Sequence, residues 1–154
     1  MSPFEKKIEQ IYRVDDKNIF GFFKEHRFLS NFQVHDIWYD GIHYTSTESA
    51  YQASKSLDLK TRLKFSIMPP SLARKEGQLI SIREDWEDVK LKIMEEICSI
   101  KFSHWRLREL LKKTGDRYLE ETNWWGDTFW GADVNHFGEN NLGKILMKIR
   151  EKKL

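Results

Sequence analysis

The sequence has little of the material that stabilises extracellular or membrane proteins. Its 154 residues include one cysteine, Cys98, so no disulfide can form within the chain. No apolar run approaches the roughly 20 residues that a membrane-spanning helix needs, and the first ten residues (MSPFEKKIEQ) lack the apolar core of a signal peptide. We therefore expect a soluble protein of a reducing compartment, the cytoplasm.

An excess of charge of one sign is also missing, as are the common metal and cofactor motifs. The 26 basic and 24 acidic residues leave a net charge of +2, which argues against nucleic-acid binding by bulk electrostatics. The five histidines show no HExxH pattern or close ligand spacing, so we expect no metal site. The sequence contains no GxxxxGKS/T, GxGxxG or GxSxG motif, and we expect no cofactor.

Aromatic side chains, in contrast, are abundant. They make up 14% of the residues and include six tryptophans. Such rings either fill a core or form a stacking platform for a flat ligand such as a base. The length suits one domain, and no repeat or shift in composition divides the chain. We therefore predict a polar lead-in at residues 1–17 and a single domain at residues 18–154.

The pattern of the chain predicts an α+β fold. NIFGFF (18–23) and RYLEE (117–121) read as strands, and Asp40-Gly41 between two β-type runs at 37–44 predicts a hairpin with a type I′ turn. Helices are predicted at 45–57, 60–67, 71–76, 85–102, 104–112 and 142–149. The sum is a small antiparallel sheet packed by several helices.

The helix predicted at residues 45–57 carries an unexpected polar stripe. Glu48, Gln52 and Lys55 are spaced by four and three residues, which places them along one side of a helix. Such a stripe can line a pocket. The alternative is structural: Thr45-Ser46-Thr47-Glu48 matches a capping box, in which Glu48 bonds back to the Thr45 amide while Lys55 is solvated.

A second acidic candidate, Asp127, lies in a loop rich in tryptophan and glycine, NWWGDTFWGAD (123–133). Desolvation by the neighbouring rings favours the protonated form of a carboxyl group, which a general acid needs. Glycines in the loop allow backbone to approach a ligand closely. The alternative is a turn in which Asp127 caps a backbone amide.

Three candidates for substrate binding lie on or beside the helix predicted at residues 85–102: two basic side chains and a tryptophan. Arg83 precedes the helix and can bind a phosphate through two hydrogen bonds from its guanidinium group, while Asp85 is placed to cap the first turn of the helix. Trp86 either stacks on a ligand or is the first core residue of the helix. Lys101 lies at the edge of the apolar face, where a snorkelling lysine is also common.

Taken in order, several short motifs resemble the YbiA-like family, also called the NADAR superfamily. The resemblance covers about residues 18–151 and rests on FLSNF (28–32), YTSTESAYQASK (44–55), PPSLARKEG (69–77), REDW (83–86), WGDTFWG (125–131) and ENNLGKILMKIR (139–150). It implies an α+β fold and N-glycosidase activity. That activity cleaves the bond between a base or amine nitrogen and C1 of a phosphorylated ribose.

Two substrate classes come with the resemblance. One is ADP-ribose linked to guanine in a nucleotide, DNA or RNA, and the other is the phosphoribosylated pyrimidine intermediates of riboflavin synthesis. The AYQASK helix and the loop ADVNHFGEN (132–140), which is poorer in glycine than in the family, favour an ADP-ribosyl-guanosine hydrolase. Ser49 also departs from the family pattern. A non-catalytic module that binds ADP-ribose or nucleic acid, and a purely structural domain, remain as alternatives.

The resemblance also implies roles for particular residues. It makes Glu48, Lys55 and Asp127 the catalytic candidates. Together with the residue patterns above, it assigns substrate binding to Ser30, Asn31, Gln52, Arg83, Trp86, Lys101, Trp130, Gly131 and Asn140. In one scheme Glu48 activates water, and in the other Lys55 attacks C1 to form a Schiff base. The sequence leaves both schemes open.

Overall fold

The computed structural model describes residues 1–152 and confirms the α+β class, with seven α-helices, one 3₁₀ helix and five strands in that part of the chain. In chain order these elements are α1 (Pro3–Ile11), β1 (Arg13–Val14), β2 (Asn18–Phe20), the 3₁₀ helix (Lys24–Leu29), β3 (Val34–Tyr39), β4 (Ile42–Ser46), α2 (Thr47–Ala53), α3 (Leu59–Phe65), α4 (Pro70–Gly77), α5 (Trp86–Lys101), α6 (Trp105–Lys113), β5 (Tyr118–Glu120) and α7 (Asn141–Glu151). None of the helices within residues 1–152 combines the length and the apolar character needed to cross a membrane.

The contacts between residues divide the chain into two compact units. The first unit joins Met1–Ser30 to the chain from Trp105 onward, and the second is Asn31–His104. The polar lead-in predicted at residues 1–17 contains α1 and β1 of the first unit. Helix α1 begins with a capping box between Ser2 and Glu5, which satisfies backbone amides that its first turn leaves free.

The sheet of the first unit has the strand order β1-β2-β5. Strands β1 and β2 are antiparallel, whereas β5 lies parallel to β2 with Phe20 opposite Glu120. Strand β1 lies in the predicted lead-in, so its antiparallel pairing with β2 was not predicted, and the parallel pairing of β5 departs from the predicted antiparallel sheet. A parallel neighbour requires a long crossover, and residues 21–117 lie between these two strands. Helix α7 packs against β5.

The second unit is built around α2. Its hairpin, β3 and β4, turns at Asp40 (φ 51°) and Gly41 (φ 81°), as the type I′ turn requires. Every residue of α2 is buried, because the helix packs against α3, α4, α5 and the hairpin. A helix surrounded on all sides normally carries apolar residues only, so the buried polar side chains of α2 need partners.

Helix α5 begins and ends within one residue of the predicted bounds. Trp86, Ile93 and Ile97 are buried on it, while Ile100, which continues the same apolar spacing, is 39% exposed. The thiol of Cys98 lies on the buried side of this helix and is 1% exposed.

Candidate active site

The polar stripe of α2 is not explained by a capping box. The predicted cap, Thr45, is still part of β4, and its hydroxyl donates to the Met68 carbonyl at 3.2 Å. The cap is Ser46, whose Oγ accepts from the Ser49 amide at 3.1 Å. The helix thus begins one residue later than the capping pattern predicts. Thr45 is therefore not the cap of α2, and the predicted capping box is wrong. The backbone amide of Glu48 donates to the Asn31 carbonyl at 3.1 Å.

The side chains of Glu48 and Gln52 are joined inside the second unit. Nε2 of Gln52 donates to Oε1 of Glu48 at 2.8 Å, and the two residues are only 6% and 8% exposed, respectively. A hydrogen bond to a carboxylate is stronger than one between neutral groups, and burial strengthens it further. This bond therefore fixes the position of the Glu48 carboxylate.

Lys55 completes the stripe from the turn that follows α2. The helix ends at Ala53, and the Lys55 amide donates to the Gln52 carbonyl at 3.2 Å. Nζ of Lys55 donates to the Gly77 carbonyl at 3.4 Å. Burial lowers the pKa of the Lys55 amine, the charge of Glu48 raises it, and the charge of Lys90 lowers it. The net shift is downward, which makes the neutral, nucleophilic amine easier to form.

Arg83 and Asp85 bind one another. Nε and Nη2 of Arg83 contact the two carboxylate oxygens of Asp85 at 2.6 and 2.9 Å, a bidentate pair that raises the pKa of Arg83. The predicted cap of α5 by the Asp85 side chain is wrong, because Arg83 takes both of its oxygens. The backbone of Arg83 donates to the Lys55 carbonyl at 2.7 Å, which anchors the turn that carries Lys55.

Two substrate-binding candidates on α5 are buried in the second unit. Trp86 is 7% exposed, and its ring lies 5.1 Å from that of Tyr51, as expected of a core residue. Lys101 is 2% exposed, so its head group does not snorkel to water, and its Nζ lies 5.1 Å from the centre of the Phe102 ring. Burial and the charge of Lys101 lower the pKa of His35 to about 4, so this histidine is neutral at pH 7.

Asp127, in the first unit, organises a tight turn. Its Oδ1 accepts from the amides of Phe129 and Trp130 at 3.2 and 2.9 Å. The side chain of Asn123 accepts from the Asp127 amide at 3.0 Å and donates to its carbonyl at 2.8 Å. Asp127 thus caps backbone amides in a turn, which is the structural alternative to a general acid given in the sequence analysis. One carboxylate oxygen is engaged in it, and a role in catalysis remains a prediction.

We expect Asp127→Ala to lower the free energy of unfolding by about 1 kcal/mol, the usual cost of losing a side-chain cap. For a chain of this size, that corresponds to a fall in Tm of about 2–4 °C. Asp127→Asn keeps an oxygen acceptor for the two amides and should retain most of the stability. Thermal unfolding of both variants measures the contribution of the turn, and an asparagine variant that is stable but inactive would show that the carboxyl group itself takes part in the reaction or in substrate binding. Equal destabilisation by both substitutions would contradict this account.

Three further candidates hold the backbone of the first unit together. Gly131 has no room for a side chain, because an added Cβ would lie 2.6 Å from Nδ2 of Asn123. Asn140 is 1% exposed and binds β5: Oδ1 accepts from the Glu121 amide, and Nδ2 donates to the Leu119 carbonyl and the Tyr118 hydroxyl. The indole of Trp130 lies edge-on to a neighbouring ring at 4.8 Å. Their contribution to substrate binding remains a prediction.

The first unit also contains a buried carboxylate that our sequence analysis missed. Glu120 is 2% exposed, and its Oε2 contacts the Thr122 hydroxyl and Nδ1 of His136, both at 2.6 Å. The His136 ring also packs on Phe20 at 4.2 Å. These bonds fasten the loop ADVNHFGEN to the face of the sheet. Strand β5 is too short for an alternation of polar and apolar residues to show which side chains are buried, so the burial of Glu120 could not be predicted.

The predicted site residues thus fall into two groups. The second unit contains Asn31, Glu48, Gln52, Lys55, Arg83, Trp86 and Lys101, and of these the structure joins Glu48 to Gln52 and, electrostatically, to Lys55. The first unit contains Ser30, Asp127, Trp130, Gly131 and Asn140. Ser30 is 8% exposed and ends the 3₁₀ helix, while Nδ2 of Asn31 lies 3.6 Å from the Met94 sulfur. Among residues 1–152, no three His, Cys, Asp or Glu side chains are grouped to hold a metal ion.

Comparison with known proteins places this chain in a family. The sequence profile of the NADAR domain matches residues 10–153, which spans both units. The chain belongs to the NADAR domain family. Its NADAR relatives include an N-glycosidase of Nostoc punctiforme, 36% identical over 80% of this chain and 83% of that protein.

Two further comparisons bear on fold and substrate. The NMR structure of Escherichia coli YbiA matches this NADAR protein with a TM-score of 0.77 and 32% identity, covering 91% of this chain and 86% of that one. A riboflavin biosynthesis protein of Vibrio vulnificus is 34% identical over 83% of this chain but only 36% of its own length. The resemblance seen in the motifs is therefore confirmed across nearly the whole NADAR chain.

Proposed function

We propose that this protein is an N-glycosidase that hydrolyses the bond between a base nitrogen and C1 of a phosphorylated ribose, and that it removes ADP-ribose from guanine. The observation that carries the proposal is the polar stripe formed by α2 and the turn after it, in which the buried Glu48 carboxylate and the half-buried Lys55 amine, whose pKa is lowered, lie within electrostatic reach of each other. Removing such charges from water is costly, so a role in chemistry accounts for the pair better than a role in packing. The N-glycosidase names of the relatives support the reaction type.

In the first scheme Glu48 acts on water. Cleavage of an N-ribosyl bond passes through a state in which C1 carries positive charge. The Glu48 carboxylate stabilises that charge and takes a proton from water as the oxygen bonds to C1. The C1–N bond breaks, its electrons go to the base nitrogen, and that nitrogen takes a proton from an acid. Asp127 is the proposed acid, or else the group that binds the ribose hydroxyls.

In the second scheme Lys55 is the nucleophile. Its neutral amine bonds to C1 as the C1–N bond breaks, and the departing base nitrogen takes a proton. The ribose ring then opens at the C1–O4′ bond, O4′ takes a second proton, and a Schiff base links Lys55 to C1; the protons gained by the base nitrogen and by O4′ are the two that the Lys55 amine loses. Water adds to C1 and releases the sugar and the amine, so one water is consumed overall. The lowered pKa of Lys55 favours this scheme.

The remaining candidates are proposed to bind the substrate. Trp86 or Trp130 stacks on the base, and Arg83 with Lys101 holds phosphate. Arg83 already has a carboxylate partner, so we propose that a phosphate of the substrate competes with Asp85 for the guanidinium group of Arg83. Trp86 is almost fully buried, and its part in stacking requires that the side chains around it open when the substrate binds.

A direct assay tests both the reaction and the substrate. The protein is incubated with ADP-ribosylated guanosine and, separately, with a phosphoribosylated pyrimidine amine, and the freed base and sugar are measured by mass spectrometry. We expect release of guanosine and ADP-ribose at a rate far above that of the second substrate. Cleavage of the pyrimidine alone would assign the riboflavin-related reaction, which the name of the Vibrio vulnificus relative favours. Failure to cleave either would contradict the proposal.

The second candidate function is binding without hydrolysis. Trp86 and Arg83 supply an aromatic ring and a guanidinium, the groups that bind the base and the phosphates of ADP-ribose without any chemistry. In the same assay a binding module retains its ligand and leaves it intact.

A further inference from the structure

Gly77, the last residue of α4, contacts Gln52 and Lys55, two members of the polar stripe. The Cα atom of Gly77 packs against the side-chain amide of Gln52. An added Cβ would be 2.7 Å from Cδ of Gln52 and closer still to Oε1. Its carbonyl accepts from Nζ of Lys55 at 3.4 Å. Side-chain Cβ atoms essentially never approach other atoms to within 3.0 Å. A residue larger than glycine at this position must therefore displace Gln52.

The glycine is not explained by its backbone. Gly77 lies in a helix at an ordinary negative φ, unlike Gly41 and Gly126. Alanine is a better helix former than glycine, so helix formation alone would favour alanine here. The close contact with Gln52 is the feature of this position that excludes a side chain.

The Gln52 amide is held on both sides. Nε2 donates to Glu48, and Oε1 is buried against Gly77 without a hydrogen-bond partner among residues 1–152. A buried acceptor without a partner carries a desolvation cost, so a glutamine held this way indicates a position set by packing. The packing comes from α4, and the result is a fixed Glu48 carboxylate.

We propose that Gly77 is a positioning residue for the reaction: its bare Cα sets the Gln52 amide against Glu48, and its carbonyl orients the Lys55 amine. The inference rests on the proposed N-glycosidase function and adds a role for α4, to which the sequence analysis assigned no candidate site residue. Gly77 does not touch the substrate, and it acts through its two neighbours.

The test is a double-mutant cycle of Gly77→Ala and Gln52→Ala. Gly77→Ala should lower kcat about 10–100-fold with a smaller change in KM, because misplacing a catalytic group by about 1 Å costs about that much. Gln52→Ala removes the clashing amide and leaves a Cβ contact of 3.1 Å that a small shift relieves. The double variant should therefore be no slower than Gln52→Ala alone.

A spectroscopic measurement separates this inference from the proposed function. The side-chain amide resonance of Gln52, identified by its loss in Gln52→Ala, should shift in Gly77→Ala. This shift tests the contact even if the wild-type protein cleaves neither substrate, a result that would overturn only the proposed function. If Gly77→Ala fails to fold, the double variant should restore folding. Wild-type kcat with an unshifted resonance, losses that multiply in the double variant, or a double variant that stays unfolded would each overturn the inference.

Discussion

Lys55→Met lowers kcat by at least about 10³-fold while the protein stays folded. The amine is the nucleophile of the second scheme, and removal of a nucleophile costs at least this much in comparable enzymes. Methionine keeps the length and apolar body of the side chain, and the half-buried cation it replaces is already penalised by desolvation. Single-turnover kinetics measures the loss, and thermal unfolding checks the fold.

Trapping and pH dependence distinguish the role of Lys55 from a structural one. Borohydride added during turnover should reduce the Schiff base and leave the sugar attached to Lys55, and Lys55→Met should show no adduct. The Lys55 amine reacts only when it is neutral, so kcat/KM should fall toward acid pH. This acid limb of the pH profile should have a pKa below 10.5, the ordinary value of lysine. Lys90→Met removes a charge that lowers this pKa, so the limb should move to higher pH. Full activity of Lys55→Met would exclude the second scheme.

Glu48→Gln lowers kcat by about 10²- to 10⁴-fold, the usual range for loss of a general base. Glutamine has the shape of glutamate and still offers an oxygen to Nε2 of Gln52, so the helix keeps its packing. The variant should be as stable as the wild type or more so, because a buried charge is removed. The measurements are kcat and the midpoint of chemical unfolding.

Two further results check the assignment of Glu48. Glu84→Gln makes the same change at an exposed position of the second unit and should leave kcat unaltered. The Glu48 carboxylate raises the pKa of Lys55, so the residual activity of Glu48→Gln should retain an acid limb shifted to lower pH. A variant with normal kcat, or one whose limb moves to higher pH, would show that Glu48 is not part of the site.

The elements whose signals are local were predictable from the sequence. Asp40-Gly41 determines its hairpin because both residues accept positive φ. Helix α4 is one residue longer at each end than the helix predicted at 71–76, and the apolar spacing of α5 placed that helix within one residue of its observed bounds. The parallel pairing of β5 could not be predicted, because the partner of a short strand depends on contacts that are distant in sequence.

The grouping of three candidate residues was predictable, but the contacts that they make were not. Spacing alone placed Glu48, Gln52 and Lys55 together. The start of α2 was misplaced by one residue because two hydroxyl residues compete for the cap and the pairing of β4 decides between them. The Arg83–Asp85 pair and the close approach of Gly77 to Gln52 depend on side-chain geometry, which no sequence pattern encodes.

Cys98 gives the protein a built-in reporter of its own opening. The thiol is 1% exposed on α5, so an alkylating reagent reaches it only when that helix separates from its neighbours. Because the chain contains a single thiol, every alkylated molecule records one such event. The rate of labelling therefore measures how often the second unit opens, with no added dye, and ligands that hold the unit closed will slow it.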